Sequence, residues 1–247
     1  MSAVDVVFLG TGDAFGSGGR LHSSSLLRSA DGSVLVDCGA SALASLRARA
    51  LAPGDVDAIL LTHLHGDHYG GVPFFLMDAH YASGRTRPLV VAGPAGVEGA
   101  VARLAEALFP GVGMLPFRFP LTYLEWGERQ EVPAGPAVVT PYEVRHSPAL
   151  ACFGLRVGMG GRVVAFSGDT EWTDALAPLS GDADLFVCEC FGLDAAPPHH
   201  LDFRTLQRHR HALTCRRLVL THMGEDMLER APTLGVETAR DGLCLTL

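Results

Sequence analysis

The stretch LLTHLHGDHYGG, Leu60 to Gly71, sets His63, His65, Asp67 and His68 within six residues. It follows the apolar run Ala58–Leu61 and leads into Tyr69, Gly70 and Gly71. That is the pattern of a buried strand giving way to a loop. A solvated loop draws on Asn, Ser, Lys or Glu. Four ligand-type side chains at this spacing are instead a specific signal for metal. In an extended segment side chains alternate with period two, so His63 and His65 point the same way and can grip one ion. Gly66 lets the chain turn, and Asp67 and His68 can then face a second ion beside the first. Neutral imidazole suits zinc, manganese and iron, and carboxylate adds a hard oxygen.

Six residues cannot complete two coordination shells, so further donors must come from elsewhere. Short apolar runs read as strands at Val4–Leu9, Ser33–Asp37, Ala58–Thr62, Pro88–Ala92, Ala137–Val144, Cys152–Val157, Val163–Ser167, Leu185–Cys190 and Leu218–Thr221. Several of them end in a donor. Ala137–Val144 leads to His146, Val163–Ser167 to Asp169, and Leu218–Thr221 to His222. Strand ends can share one rim of a folded sheet, which would bring these residues to the cluster. Asp169 offers two oxygens and can bridge both ions.

Helical patterns fall between the strands, at Ser41–Ala50, Gly70–Tyr81, Gly96–Phe109, Asp174–Leu179, Phe203–Leu213 and Glu225–Ala231. Strand and helix alternate at both ends, and Phe117 to Val157 is mostly strand. This predicts an α+β fold of mixed sheets flanked by helices. Pro116, Pro120, Pro133, Pro136 and Pro141 punctuate strand connections, and no repeat or long linker divides the chain. A single domain over residues 1–247 is expected.

Composition narrows the partners. Hydrophobic residues make up 48%, enough for a substantial core, and net charge is −8 with no lysine at all. A grip on long nucleic acid needs a basic surplus or stripe. The nearest feature is Arg208 to His211, "RHRH", which reads as a solvated helix face. No run reaches the ~18 apolar residues of a membrane span, and "MSAVDVVFLG" reads as a first strand, not a signal peptide. Cys38, Cys152, Cys188, Cys190, Cys215 and Cys244 read as free, mostly buried thiols in a reducing cytoplasm. Cys188-Glu189-Cys190 lacks the two intervening residues of structural zinc pairs. The expected partner is a small-molecule substrate, with no long nucleic acid and no membrane; a homodimer is compatible with this.

"THLHGDH" resembles the His-x-His-x-Asp-His motif of the metallo-β-lactamase superfamily of binuclear metallohydrolases. "VRHSP", "FSGDT" and "LVLTHM" look like its later His, Asp and His motifs, in order. "FLGTGDAFGSGGRLHSSSLL" followed by "VLVDCGAS" resembles the opening of the ribonuclease Z branch and related phosphodiesterases. The resemblance covers essentially the whole chain. It implies a four-layer αβ/βα sandwich holding two divalent ions, zinc first and manganese second. By carry-over His63, His65 and His146 hold one ion, Asp67, His68 and His222 the other, and Asp169 bridges. The glycine-rich opening lacks the Lys-Ser/Thr of a phosphate loop and reads as a turn near the site. Asp37 reads as a hydrogen-bonding anchor for the loops, and Ser23, Ser24 and Ser25 as strand residues.

His199 and His200, in "PPHHLDF", precede a helix with Asp202 as its N-cap. Related phosphodiesterases place a histidine here that contacts the scissile phosphate or protonates the leaving oxygen. His200, followed by Leu-Asp, fits that position better than His199. Asp67 and His200 are therefore the candidate catalytic residues.

Two ions suit hydrolysis of phosphodiesters, thioesters, lactones and lactams alike. Asp169 stands where some zinc β-lactamases use cysteine. With the branch resemblance and His200, this favours a phosphodiesterase. Bacterial ribonuclease Z carries a long inserted arm between the motifs matching His146 and Asp169. Here only about 22 residues separate them, so a small phosphodiester, such as a cyclic nucleotide or cyclic sugar phosphate, is the expected substrate. The alternatives are a carboxylic ester, thioester or lactone hydrolase, then a tRNA 3′-end endonuclease or a non-catalytic metal-binding partner.

Overall fold

The computed structural model describes residues 3–247, leaving Met1 and Ser2 of the opening stretch outside. Its strands are β1 (Asp5–Gly10), β2 (Ser24–Ser29), β3 (Gly32–Val36), β4 (Ala58–Leu60), β5 (Leu89–Gly93), β6 (Leu121–Glu125) and β7 (Val132–Ala134). They continue with β8 (Ala137–Glu143), β9 (Phe153–Met159), β10 (Arg162–Phe166), β11 (Leu185–Glu189), β12 (Leu218–Thr221) and β13 (Cys244–Thr246). The helices are α1 (Ala42–Ala48), α2 (Gly66–Tyr69), α3 (Val72–Met77), α4 (Val97–Leu108), α5 (Leu176–Ser180), α6 (Phe203–His209) and α7 (Glu225–Arg230).

One sheet has the order β13-β1-β2-β3-β4-β5-β6 and the other β12-β11-β10-β9-β8-β7. Both are mixed. Strands β3 to β6 run parallel, as do β10 to β12, and the rest pair antiparallel.

The central strands β3, β4 and β11 read as near-continuous apolar runs because both faces are covered. Val34 and Val36 of β3, Leu60 of β4 and Leu185 and Val187 of β11 enter the core between the sheets. Their neighbours Leu35 and Ile59 face outward, where they pack with Leu46 of α1, Phe75 of α3 and Val101 of α4. Phe186 packs on the far side with Leu176 of α5, Leu206 of α6 and Met227 of α7. Period-two alternation thus feeds three apolar layers at once, which gives the four-layer αβ/βα sandwich.

Two local differences from the sequence reading have physical causes. The expected helix Gly70–Tyr81 is observed from Val72 as α3, extended by a π turn at Asp78–Ala82, and a break separates it from the additional single turn α2 at Gly66–Tyr69. Gly71 sits at the break because its backbone approaches the Gly39 carbonyl so closely that a Cβ would lie 2.2 Å from the oxygen. Strands β6 and β7 fall within Phe117–Val157, expected to be mostly strand, and β2 holds Ser24 and Ser25, read as strand residues, but none of the three was delimited, and β13 lies in no expected element. β2 opens on serines, β13 has only three residues, and β7 carries Pro133. Proline is tolerated there because β7 is a sheet edge.

Candidate metal centre

The donors converge because the carboxyl ends of β4, β8, β10 and β12 open on one rim. His63 follows β4, His146 follows β8, Asp169 follows β10 and His222 follows β12. All four are buried. α2 begins just after His65 and turns Asp67 and His68 inward, where both are buried.

Ligand atoms of His63, His65 and His146 form one group, and those of Asp67, His68, Asp169 and His222 another. In the first, His65 Nδ1 lies 3.2 Å from His63 Nε2 and 2.9 Å from His146 Nε2. In the second, His68 Nε2 is 3.4 Å from Asp67 Oδ2 and 3.2 Å from Asp169 Oδ1. His222 Nε2 is 3.4 Å from Asp67 Oδ2 and 3.3 Å from Asp169 Oδ2. The same Asp169 Oδ2 approaches His146 Nε2 at 3.7 Å and His63 Nε2 at 3.9 Å. Asp169 therefore joins the two groups.

The imidazoles are held so that one nitrogen of each faces the cluster. His68 Nδ1 lies 2.8 Å from Asp37 Oδ2, and a carboxylate only accepts, so that nitrogen donates. Its Nε2 is then the lone-pair atom, and it is buried with no hydrogen-bond partner. His146 Nδ1 likewise donates to the His199 carbonyl at 3.1 Å, and His63 Nδ1 meets Thr62 Oγ1 at 3.0 Å. Asp37 also accepts from the Thr62 amide at 2.8 Å, so it ties the end of β4 to α2. This is the anchoring role read for it from sequence. Imidazole nitrogens turned inward beside two carboxylates fit divalent cations of the zinc or manganese type, which would displace protons from the rings on binding.

Charge is distributed to match. Burial would push the Asp67 carboxyl up, but His68 and His222 hold it well below the usual range. Asp169 is held low in the same way, His222 and His68 overcoming its burial. Burial opposes charge on His222 too, yet Asp169 and Asp67 lift its pKa to about 9. On the other side burial, then His68, push His63 well below its ordinary value. The carboxylate side thus draws in positive charge, while His63 and His146 on the other side are held toward the neutral form.

His200 comes to the rim of the cluster. Its ring stacks on His222, with centroids 5.6 Å apart, and lies 4.8 Å from His146. His199 stays half exposed, its Nδ1 3.6 Å from Glu171; only its carbonyl serves the centre. Asp202 caps α6 by accepting from the Thr205 amide.

Sequence reasoning missed Glu189. It is buried at the end of β11. It accepts from the Thr170 amide, from the Leu201 amide at 3.1 Å and from His200 Nδ1 at 3.2 Å. Burial raises its pKa, and Glu189 in turn raises that of His200 against the effect of burial. The available signal was an acidic residue inside the apolar run "LFVCEC". The flanking Cys188 and Cys190 belong to none of the donor groups among the described residues.

A model of the β-lactamase superfamily domain matches residues 33–223. A Clostridium novyi protein named ribonuclease Z is 26% identical over 292 aligned positions, covering 94% of this chain and 92% of its own. The probable metallo-hydrolase YhfI of Bacillus subtilis is 27% identical, covering 88% of this chain and 86% of its own. Its crystal structure superposes with a TM-score of 0.80 over all of both chains, at 22% identity. Human tRNase Z, short form, superposes with a TM-score of 0.78 at 26% identity, over 98% of each chain. The fold, the donor geometry and these matches agree: the chain belongs to the metallo-β-lactamase superfamily, in its ribonuclease Z-like branch, and is a metal-dependent hydrolase.

Proposed function

We propose that residues 1–247 form one hydrolase domain that cleaves small phosphodiesters, such as cyclic nucleotides or cyclic sugar phosphates, at a two-metal centre. The observation that carries this reading is the pairing of a double donor group, joined at Asp169, with a histidine–glutamate pair at its rim. On this reading His63, His65 and His146 hold one ion and Asp67, His68 and His222 the other, with Asp169 shared. When bound, such a pair of ions makes water acidic enough to attack at neutral pH and stabilises charge on the attacked phosphate.

The chain's own residues supply the rest. Asp67, kept ionised by His68 and His222, accepts a hydrogen bond from the attacking water and orients it. Glu189 grips His200 Nδ1 and favours its protonated form. Nε2 is left to give a proton to the leaving oxygen.

Substrate size follows from the loops. The segment between His146 and Asp169 is the hairpin β9–β10, closed by Gly160 and Gly161, with no room for an arm to clamp tRNA. The alignment with the Clostridium protein runs over 292 positions against 247 residues here, so that relative carries segments this chain lacks. Around "RHRH" three arginines are taken up in ion pairs, Arg204 with Asp194, Arg216 with Asp184 and Arg217 with Glu237. We place the protein in the cytoplasm, because all six cysteines are free thiols. Among the described residues, no helix is long and apolar enough to cross a membrane.

The test is a hydrolysis panel with zinc- and manganese-loaded protein. It spans bis(p-nitrophenyl) phosphate, 2′,3′- and 3′,5′-cyclic nucleotides, a thioester, a lactone, a β-lactam and a precursor tRNA. Turnover of a small phosphodiester with little tRNA cleavage is expected. Efficient site-specific tRNA cleavage would overturn the size argument, and turnover of thioester or lactone alone would move the chain to carboxylic substrates.

A further inference from the structure

Against the second donor group, between the sheets, lies a chamber of about 40 Å³ with His68, Asp169 and His222 of that group in its wall. Ser25, Asp37, Ser167, Glu189, Thr221 and His222 are among the residues that line it. All of these except Thr221 are buried. Polar atoms this deep are costly unless each finds a partner. Most do: Asp37 accepts from His68 and Thr62, and Ser167 Oγ accepts from the Glu189 amide at 2.8 Å and donates to the Gly168 carbonyl at 2.6 Å.

His222 Nδ1 does not. It is buried and has no hydrogen-bond partner, while Nε2 on the other side of the ring faces Asp67 and Asp169. If Nε2 is to offer a lone pair to an ion, the ring proton must sit on Nδ1, and a buried N–H without an acceptor is expensive. His68 solves the same problem with Asp37, and His146 with the His199 carbonyl. For His222 the protein supplies no such acceptor. A water needs about 10–15 Å³ of such space and two to four polar partners, so the chamber has room for about three.

We propose that this chamber is a site for buried water, one molecule of which accepts the Nδ1–H of His222 and hands the bond on to the hydroxyls of Ser25 and Thr221. Solvent then does for His222 what Asp37 does for His68: it fixes the tautomer and the ring orientation. The proposal rests on the two-metal reading, through the need for a bare Nε2.

The test begins with a high-resolution crystal structure of the zinc-loaded wild-type protein. A water within hydrogen-bond distance of His222 Nδ1 is expected, bonded onward to Ser25 or Thr221. A dry chamber, or a protein acceptor on Nδ1, overturns the proposal. Nitrogen-15 NMR of the histidine rings should place the His222 proton on Nδ1; a proton on Nε2 in the loaded protein also overturns it. Ser25→Val fills the chamber and should weaken binding of one zinc equivalent about 10- to 100-fold by chelator competition, the usual cost of losing such a supporting contact. Unchanged affinity with the chamber filled counts against it. If Ser25→Val does not fold, the wild-type crystal and the NMR decide alone. Two zinc equivalents beside a dry chamber sink only this proposal. A protein that takes up no zinc yet keeps the water sinks the two-metal reading and leaves the His222 contact standing.

Discussion

The catalytic argument turns on His200 and the carboxylate behind it. His200→Ala should keep both metals and lose about 10²- to 10⁴-fold in kcat, the range of general acid–base catalysis. The loss should be larger on a cyclic nucleotide, whose sugar oxygen needs a proton to leave, than on a p-nitrophenyl ester, whose phenolate does not. Equal losses on both would make His200 a phosphate holder instead of a proton donor. Glu189 acts through His200, being in contact with its Nδ1. Glu189→Gln should therefore slow the cyclic nucleotide reaction by itself and add little once His200 is alanine. Independent, multiplying losses in the double variant would detach the two. The metal-cluster residues could be read from sequence because four of them crowd one segment whose spacing has a geometric meaning. Glu189 could not, because its partner lies eleven positions on, at His200, and no local pattern joins them. The His199 carbonyl was invisible for a different reason: any residue type supplies one.

At the level of elements, the centre depends on a turn packed against a helix. The Cys38 amide donates to the His68 carbonyl at 2.6 Å and the Gly71 amide to the Cys38 carbonyl at 2.8 Å, so the turn after β3 and the turn α2 are stitched together. Gly39 lies in that seam, where a Cβ would sit 2.3 Å from the Asp67 carbonyl and 2.6 Å from His22 Cβ. Gly39→Ala must push α2 outward and carry Asp67 and His68 with it. We expect the variant to fold but to bind one metal equivalent far more weakly, read by elemental analysis and chelator competition. Normal binding of two equivalents would show that the seam can relax without moving the donors. The strand ends that deliver His63, Asp169 and His222 were legible because β4, β10 and β12 send apolar residues into cores on both faces; β8, which leads to His146, alternates instead, with Ala137 and Val139 buried and Val138 exposed. β2 was legible only in part: Ser24 and Ser25 read as strand residues, as they are, but serines give no apolar run from which to delimit the strand, and Ser24 Oγ donates to the Asp37 carbonyl inside the structure.

For the molecule as a whole, the donors come from both sheets, so bound metal should clamp the sandwich. A ligand present at a hundred times its Kd stabilises the native state by about 2.7 kcal/mol. For a chain of this size each kcal/mol moves Tm by about 2–4 °C, so stripping the metal should lower Tm by roughly 5–10 °C in calorimetry. A melting point indifferent to chelator would mean that the donors are already satisfied without ions. The same long reach has a consequence in time. β1 lies between β2 and β13, and His222 comes 154 residues after His68. At about 5–20 residues per second, a ribosome makes His68 roughly 8–30 s before His222. Throughout that interval Asp67 and His68 are exposed half-made, and the first strand has one edge without its neighbour. The order of synthesis, not the supply of metal, therefore sets the earliest moment at which the centre can close.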